Sequence, residues 1–447
     1  MAPKLQARLP KGMRDFLPVQ MRRREYVFGI VREMFARYGF EPMQTPVLEL
    51  RETLMGKYGE EAEKLIYRAE HPGGKEEVAM RYDLTVPLAR FVAMYPNDIV
   101  LPFRRYQLSP VWRGERPQRG RYREFYQCDA DIVGAPGMAA DAEVVSLVVA
   151  VLERLGFPQF TVKINNRKLL TAIGTWAGVE GPALAELYRS IDKFDKVGAV
   201  GVRAELVERG LPAEVVDRVM GLITISLDDS AKLDFLETTL KTGAADDTAL
   251  LEGVNELRAL LAHLEAGGVN RARYAIDFTM VRGLGYYTGP IFETVITEPN
   301  LGSVQGGGRY DDLIGLFRGE RVPTTGISFG IERIIDVMEE LGLFPEDLGA
   351  TATEVFVTVF DETTRAHAAR LAADLRAAGL ATDLSLLDKP LGKQLGMADK
   401  KGVPVAALLG SDEIAAGVVR LKRLRDAHEV TVPRAEAAAA VRALLHG

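Results

Sequence analysis

The 447-residue chain contains a single cysteine, Cys128, so it can form no internal disulfide and needs no oxidising compartment; a cytoplasmic setting is expected. Its five histidines, His71, His263, His367, His428 and His446, are scattered and offer no zinc-ligand spacing. No run of about 18 apolar residues occurs, and residues 1–10 lack the apolar centre of a secretory signal, so a soluble protein with no membrane attachment is expected. A phosphate loop of the form G-x-x-x-x-G-K-S/T is also missing. There is no excess of positive charge either: 56 basic side chains face 62 acidic ones, a net of -6, which excludes a wholly basic nucleic-acid coat but not a local basic site. With 47% hydrophobic and 26% charged residues the composition is globular, and the length argues for about two to four domains.

The first 165 residues mix helical and strand signals. Residues 20–38 carry Tyr26, Phe28, Ile30, Val31, Met34 and Phe35 at helical spacing, and Gly39 supplies a stop. Two β-rich runs follow, 78–85 and 101–113, the second joined through a Gly/Pro-bearing loop to 122–133 as a hairpin with a long tip. From 168 to 270 strand signals thin out and the segments become helix-like, which predicts a helical insertion. Strands resume at 273–282 and 290–297, a helix begins near Ile331, and 342–354 is the expected linker. Beyond it strand and helix alternate, predicting a small α/β domain.

The chemistry concentrates in the hairpin. Seven arginines between 101 and 123 (Arg104, Arg105, Arg113, Arg116, Arg119, Arg121 and Arg123) face one acid, Glu115. Guanidinium groups present paired donors in a fixed fork, which suits phosphate oxygens; the plainer alternative is a solvated basic face. Against that alternative, two-residue alternation puts Phe125, Gln127, Asp129 and Asp131 on one face of the following strand, a polar set too costly for a core. Arg81, Asp83 and Thr85 are likewise expected to share a strand face. Arginines for phosphate beside carboxylates for an ammonium group suit a nucleotide plus an amino acid. Further on, 281–289 sets Arg282 beside Tyr286 and Tyr287 among Gly283, Gly285 and Gly289, while 306–313 reads as a tight turn or a loop under a ligand. Arg333 opens a helix after a strand. Cys128 lies on the strand face opposite Gln127 with no histidine near in sequence, a structural position.

Together these segments resemble one family, the histidyl-tRNA synthetases among the class II aminoacyl-tRNA synthetases. KGMRDFLP at 11–18 resembles the N-terminal signature, GFEPMQTPVLE at 39–49 motif 1, residues 103–134 motif 2 and GISFGIERI at 326–334 motif 3. RGLGYYTG and GGGRYDDL resemble the two histidine-specific peptides, and the likeness extends over nearly the whole chain. The resemblance implies an α+β catalytic core, an antiparallel sheet flanked by helices, in 1–167 and 271–345, with a helical insertion at 168–270 and a C-terminal α/β anticodon-binding domain at 351–447. It implies activation of L-histidine with ATP to histidyl-adenylate, transfer to tRNA(His), Mg²⁺ accompanying ATP, and a homodimer in which Pro46 and its flanks face the second subunit.

Mapped by motif, the resemblance makes Arg282 and Arg113 the catalytic arginines. Asp83, Leu84, Thr85, Arg113, Gln127, Asp131, Arg282, Tyr286, Tyr287 and Tyr310 would bind histidine, with Asp83, Thr85, Gln127 and Asp131 holding and orienting its ammonium, Tyr287 and Tyr310 lining the imidazole pocket and Tyr286 adjacent. Arg113, Glu115, Arg121 and Arg333 would bind ATP. One departure is that Gly285 stands where the family usually has an acid, in R-G-L-D-Y-Y. The runner-up is a catalytically weak or inactive paralogue, such as a regulatory subunit of ATP phosphoribosyltransferase or a tRNA-sensing module; retention of Arg113, Arg282 and Arg333 and a complete C-terminal domain argue for the enzyme. Charge is uneven as well: residues 168–270 hold 10 basic and 17 acidic side chains against 13 and 12 in 351–447, so the insertion is expected to make the weaker tRNA contacts.

Overall fold

The computed structural model describes residues 6–58, 60–179, 181–240, 247–281, 285–299 and 302–446. The chain divides into two compact units, Met1–Arg14 with Val27–Leu343, and Asp15–Tyr26 with Phe344–Gly447.

The larger unit is built on an eight-stranded sheet. Its order is Glu41–Pro42, Phe103–Trp112, Glu124–Val133, Thr324–Gly330, Ser303–Arg309, Pro290–Val295, Thr161–Asn166 and Tyr274–Ile276. The six central strands are antiparallel neighbours, whereas both edge strands join in parallel, so the expected antiparallel sheet is mixed at its margins. Strand alternation divides its two faces. On Glu124–Val133, Cys128, Ala130 and Ile132 are buried on one side, and the helix Met138–Arg154 packs Val144, Leu147, Val148 and Val151 onto that sheet. Gln127, Asp129 and Asp131 are buried on the other side, the polar face that carries the site. Residues 20–37 belong to the helix Pro18–Arg37, after which Tyr38 and Gly39, the latter at a φ of 74°, make the turn that ends it.

Two expectations need correction. Residues 78–85 are not one strand: only Val78–Met80 pairs, in a separate three-stranded sheet, and Thr85 opens the helix Thr85–Met94. Arg81 therefore shares no ligand face with Asp83; it is 1% exposed and donates to the carbonyls of Pro110 (2.9 Å) and Thr45 (2.8 Å). The glycine cluster 306–308 is neither turn nor loop but the middle of the strand Ser303–Arg309.

Among the described residues, 168–270 contains helices and no strand. Polar ties fasten it at both ends: the Asn166 amide donates to Glu256 (2.7 Å), and Arg271 pairs with Asp229 (2.6 Å).

The smaller unit has a five-stranded sheet ordered Thr382–Leu384, Val355–Val357, Val405–Leu408, Val418–Arg423 and Glu429–Pro433. The first three strands are parallel and linked by helices, which the alternating pattern predicts. The last two add an antiparallel hairpin that was not foreseen, pinned by the buried Val419 and Leu421. The core of this unit gathers Val355, Leu371, Leu375, Val405, Leu421 and Val441.

Candidate active site

Two cavities meet on the polar face of the large sheet. The smaller, about 170 Å³, is walled by Asp83, Thr85, Gln127, Asp129, Asp131, Tyr286, Tyr287, Tyr310 and Ser328. An engineered cavity of ~150 Å³ can hold a benzene ring, so this one has room for a small ring with its substituents. The larger, about 790 Å³, is lined by Arg113, Glu115, Gln118, Arg121, Tyr122, Phe125 and Arg333. Gln127, Gly306 and Ser328 line both.

The floor of the small cavity is backbone. A β-carbon on Gly307 would collide with the Gly326 carbonyl and lie 2.8 Å from Ile327 Cα, and one on Gly326 would collide with Asp131 Oδ1. Only glycine lets the two strands close at this point while leaving the space above them open.

The acidic wall is held by an ordered network. Asp83 Oδ1 accepts from Tyr58 Oη (2.8 Å) and from the backbone N–H of Val86 (3.0 Å), and its buried Oδ2 has no hydrogen-bond partner among the described residues. Gln127 donates from Nε2 to Ser328 Oγ (2.9 Å), leaving Oε1 unpartnered. Asp131 accepts from the hydroxyl of Tyr310 and lies 2.6 Å from Nη2 of Arg105, its direct cross-strand neighbour. Asp129 is bonded by Ser328 and keeps Oδ1 unpartnered. Burial pushes the Asp129 carboxyl up to about 7, against the pull of Arg105 and with the push of Asp131. Burial also raises Asp83 and Asp131, and keeps Tyr287 and Tyr310 protonated as donors.

The wide cleft has the opposite character. Arg113 donates from Nε to the Tyr82 carbonyl (3.1 Å), with its guanidinium 4.5 Å and 5.1 Å from the ring centres of Tyr82 and Phe125. Arg333 donates to the carbonyls of Gly120 (3.0 Å) and Ser303 (2.6 Å), and Arg121 is bonded to Glu115. Glu332 also borders the cleft, and its carboxylate accepts from Tyr126 N–H at 3.3 Å. Among the described residues no three His, Cys, Asp or Glu side chains converge as a cation site.

The residues singled out in sequence thus separate into groups. Asp83, Thr85, Gln127, Asp131, Tyr286, Tyr287 and Tyr310 come together around the small cavity, and Arg113, Glu115, Arg121 and Arg333 around the cleft. Leu84 is fully buried and lines neither, although its carbonyl accepts from Arg105. Arg282 lies outside the described residues. The seven hairpin arginines do not act as one phosphate-binding patch: Arg105 is buried against Asp131, while Arg104 pairs with Glu143 and Arg119 with Glu340. Sequence reasoning missed Tyr58, Ser328 and the pairing role of Arg105. Asp129 it placed on the ligand face without assigning it a part.

A histidyl-tRNA synthetase family model matches residues 12–334, and an anticodon binding domain model matches 354–444. The chain belongs to the histidyl-tRNA synthetase family. As a member it is a class II aminoacyl-tRNA synthetase, a histidine–tRNA ligase that uses ATP, histidine and tRNA. The histidine–tRNA ligase of Cytophaga hutchinsonii is 43% identical over 436 residues, 93% of this chain and 95% of that one. The enzyme of Aeropyrum pernix is also 43% identical, over 98% of both chains. The crystal structure of histidyl-tRNA synthetase from Nostoc sp. PCC 7120 superposes with a TM-score of 0.85 at 32% identity, covering 98% of this chain and all of that one. These matches do not favour the paralogue alternative. No helix among the described residues is long and apolar enough to cross a membrane.

Proposed function

We propose that the small cavity holds L-histidine and the cleft holds ATP, so that the histidine carboxylate attacks the α-phosphorus, pyrophosphate leaves, and the histidyl group then passes from the adenylate to a hydroxyl of the terminal adenosine of tRNA(His) with AMP as the leaving group. One observation carries this assignment. A buried acidic cavity sized for a single amino acid adjoins an arginine-lined cleft across Gln127, Gly306 and Ser328, which brings the two reacting groups to one place.

Both reactants are anionic, so cations must offset their repulsion and the charge that develops on the phosphoryl oxygens. Arg113 suits the α-phosphate: the rings of Tyr82 and Phe125 fix its plane, and its free donors border the cleft. Arg333, tethered by two carbonyls, suits the γ-phosphate, and Glu115, oriented by Arg121, suits the adenine amino group. Arg282 retains the family's catalytic role from its place in the motif. The ammonium group needs acceptors, and Asp83 Oδ2 and Gln127 Oε1 are buried beside Thr85 with no partner among the described residues. A β-carbon at Gly285 meets nothing within 4 Å among the described residues, so packing does not demand glycine where the family usually has an acid.

Mg²⁺ would travel with the nucleotide. With no three-ligand cluster among the described residues, phosphate oxygens would provide most of its ligands, with Glu332 as the nearby carboxylate; the ion would supply charge neutralisation of the leaving pyrophosphate. A homodimer is proposed on the exposed apolar side chains Val47, Leu48 and Leu50 flanking Pro46, and a cytoplasmic location on the translational role and the single cysteine. The domain limits given above are kept, with the acidic insertion making the weaker tRNA contacts.

Histidine-dependent ATP–pyrophosphate exchange, followed by charging of tRNA(His), tests the assignment. Robust exchange is expected with histidine alone among the amino acids. Folded protein without exchange overturns it.

A further inference from the structure

We propose that the N-terminal segment 11–14 is a positioning strap for the cleft, and that Arg14, which does not itself line the cleft, sets the affinity for ATP by holding Tyr122 and Glu332 in the cleft wall. This rests on the assignment of the cleft to ATP.

The strap begins as a tight turn. Met13 N–H donates to the Pro10 carbonyl (3.2 Å), and Gly12, in the third position, has a φ of 85°, a backbone state that suits glycine. The turn lies against the base of the arginine hairpin. The Gly12 carbonyl accepts from the backbone N–H of Arg123 (2.9 Å), and the Arg123 carbonyl accepts in turn from the N–H of Arg113 (2.9 Å). Two hydrogen bonds therefore connect the strap to the arginine assigned to the α-phosphate. Arg123 also donates from Nε to the Glu115 carbonyl (2.9 Å) and from Nη1 to the Lys11 carbonyl (3.4 Å). Through this one residue the strap fixes both Arg113 and Glu115 on the opposite side of the loop. The fit is close: a β-carbon on Gly12 would lie 2.7 Å from Pro117 Cγ and 2.9 Å from Arg123 Cγ.

Arg14 extends the strap to a second element. Its guanidinium carbon sits 3.3 Å from the ring centre of Tyr122, and its Nη2 lies 3.9 Å from Oε1 of Glu332, a side chain only 5% exposed. Tyr122 and Glu332 both line the cleft, the first from the hairpin loop and the second from the helix Ile331–Leu341, which also carries Arg333. One cation outside the cleft thus joins two parts of its wall. The tip of the loop is tethered separately, by Arg333 to the Gly120 carbonyl, which leaves the base to the strap. A loop ordered before ATP arrives spares the nucleotide the entropy of ordering it. The small cavity takes no lining residue from 113–123, so histidine affinity should be indifferent to the strap.

The test measures pyrophosphate exchange by Arg14→Ala, Arg14→Lys and Gly12→Ala, varying ATP and histidine separately. Arg14→Ala should raise the KM for ATP about 10-fold and leave the KM for histidine within about twofold, and Arg14→Lys, which keeps a cation over the ring, should recover much of the loss. Gly12→Ala, whose methyl pushes on Pro117 and Arg123, should show the same split. In Arg14→Ala combined with Tyr122→Leu, the rise in the KM for ATP should be well below the product of the two single effects, because Arg14 acts through that ring. Equal changes in both KM values, no change in Arg14→Ala, or independent effects in the double variant overturn the proposal. If wild-type protein shows no histidine-dependent exchange, the cleft assignment fails instead. An ATP-bound crystal structure of the wild type decides the matter independently of how the variants fold. Arg14 on the Tyr122 ring with the nucleotide against that tyrosine supports the strap, and Arg14 in direct contact with a phosphate overturns it.

Discussion

The small cavity and the cleft share a wall yet solve opposite electrostatic problems. The cavity concentrates carboxylates around one buried arginine, and nearly every polar atom in it is fixed by a neighbour except the few that a ligand would meet. The cleft is open, and its arginines are tethered to carbonyls, rings or a carboxylate while still bordering empty space. Arginine therefore has two uses within one hairpin. Arg105 is locked as an internal counter-charge, and Arg113 is poised as a binding group. Both belong to the polar face, and what separates them is depth and place along the hairpin, not residue type: Arg105 is fully buried opposite Asp131, whereas Arg113 lies just past the strand end at the cleft.

Substitutions on either side should separate the two functions. The largest effect is expected for Arg113→Ala and Arg282→Ala, which remove cations from the developing phosphoryl charge: exchange should fall by about 10²–10³ in kcat, roughly 3–4 kcal/mol, with the KM for histidine changed far less in Arg113→Ala. Equal losses in both parameters would blur the division. Asp83→Asn should act in the opposite sense, raising the KM for histidine by roughly 10- to 100-fold, since a charged acceptor of the ammonium is worth about 1.5–3 kcal/mol, with little change for ATP. Steady-state kinetics in each substrate checks both.

Gly307→Ala probes the shared floor. Its new methyl meets the Gly326 backbone, and a loss of about 1–3 kcal/mol in folding stability with impaired histidine binding is expected, measured by urea unfolding and exchange.

The smallest effect is a pH dependence. The Asp129 carboxyl at about 7 in the folded protein lies above its ordinary 3.8, so the folded state holds that proton more tightly than the unfolded chain. The stabilisation is fully present below about pH 4 and is lost as pH rises through about 7; Asp141, raised by burial to about 6, adds in the same direction. Ligand-free Asp129→Asn should therefore melt about 1–3 °C above the wild type at pH 8 and lose that advantage by pH 4. A constant difference across this range would mean that Asp129 does not carry the cavity's excess charge.

Much of this was legible in the residues. Two-residue alternation placed Gln127, Asp129 and Asp131 on one face before any coordinates, and the family motifs brought in Asp83, Tyr287, Tyr310 and Arg333. The failures have physical causes. The run 78–85 looks β-rich by composition, but strand pairing ends at Met80 because the chain turns there into a helix whose first N–H groups are bound by Asp83. The three glycines read as a turn because glycine usually serves backbone freedom, whereas at Gly307 it serves close approach between strands. Arg105 looked like a phosphate ligand because its partner lies across the hairpin, and register is set by the whole turn rather than by local sequence.

The glycine floor has an implication for redesign. Because Gly307 and Gly326 meet as bare backbone, no point substitution there can widen the chamber, and any addition closes it. Room can be gained only by trimming the tyrosine side, at Tyr287 or Tyr310. Laboratory evolution toward bulkier unnatural amino acids should therefore accumulate its changes at those two tyrosines, while the two glycines stay fixed through every round.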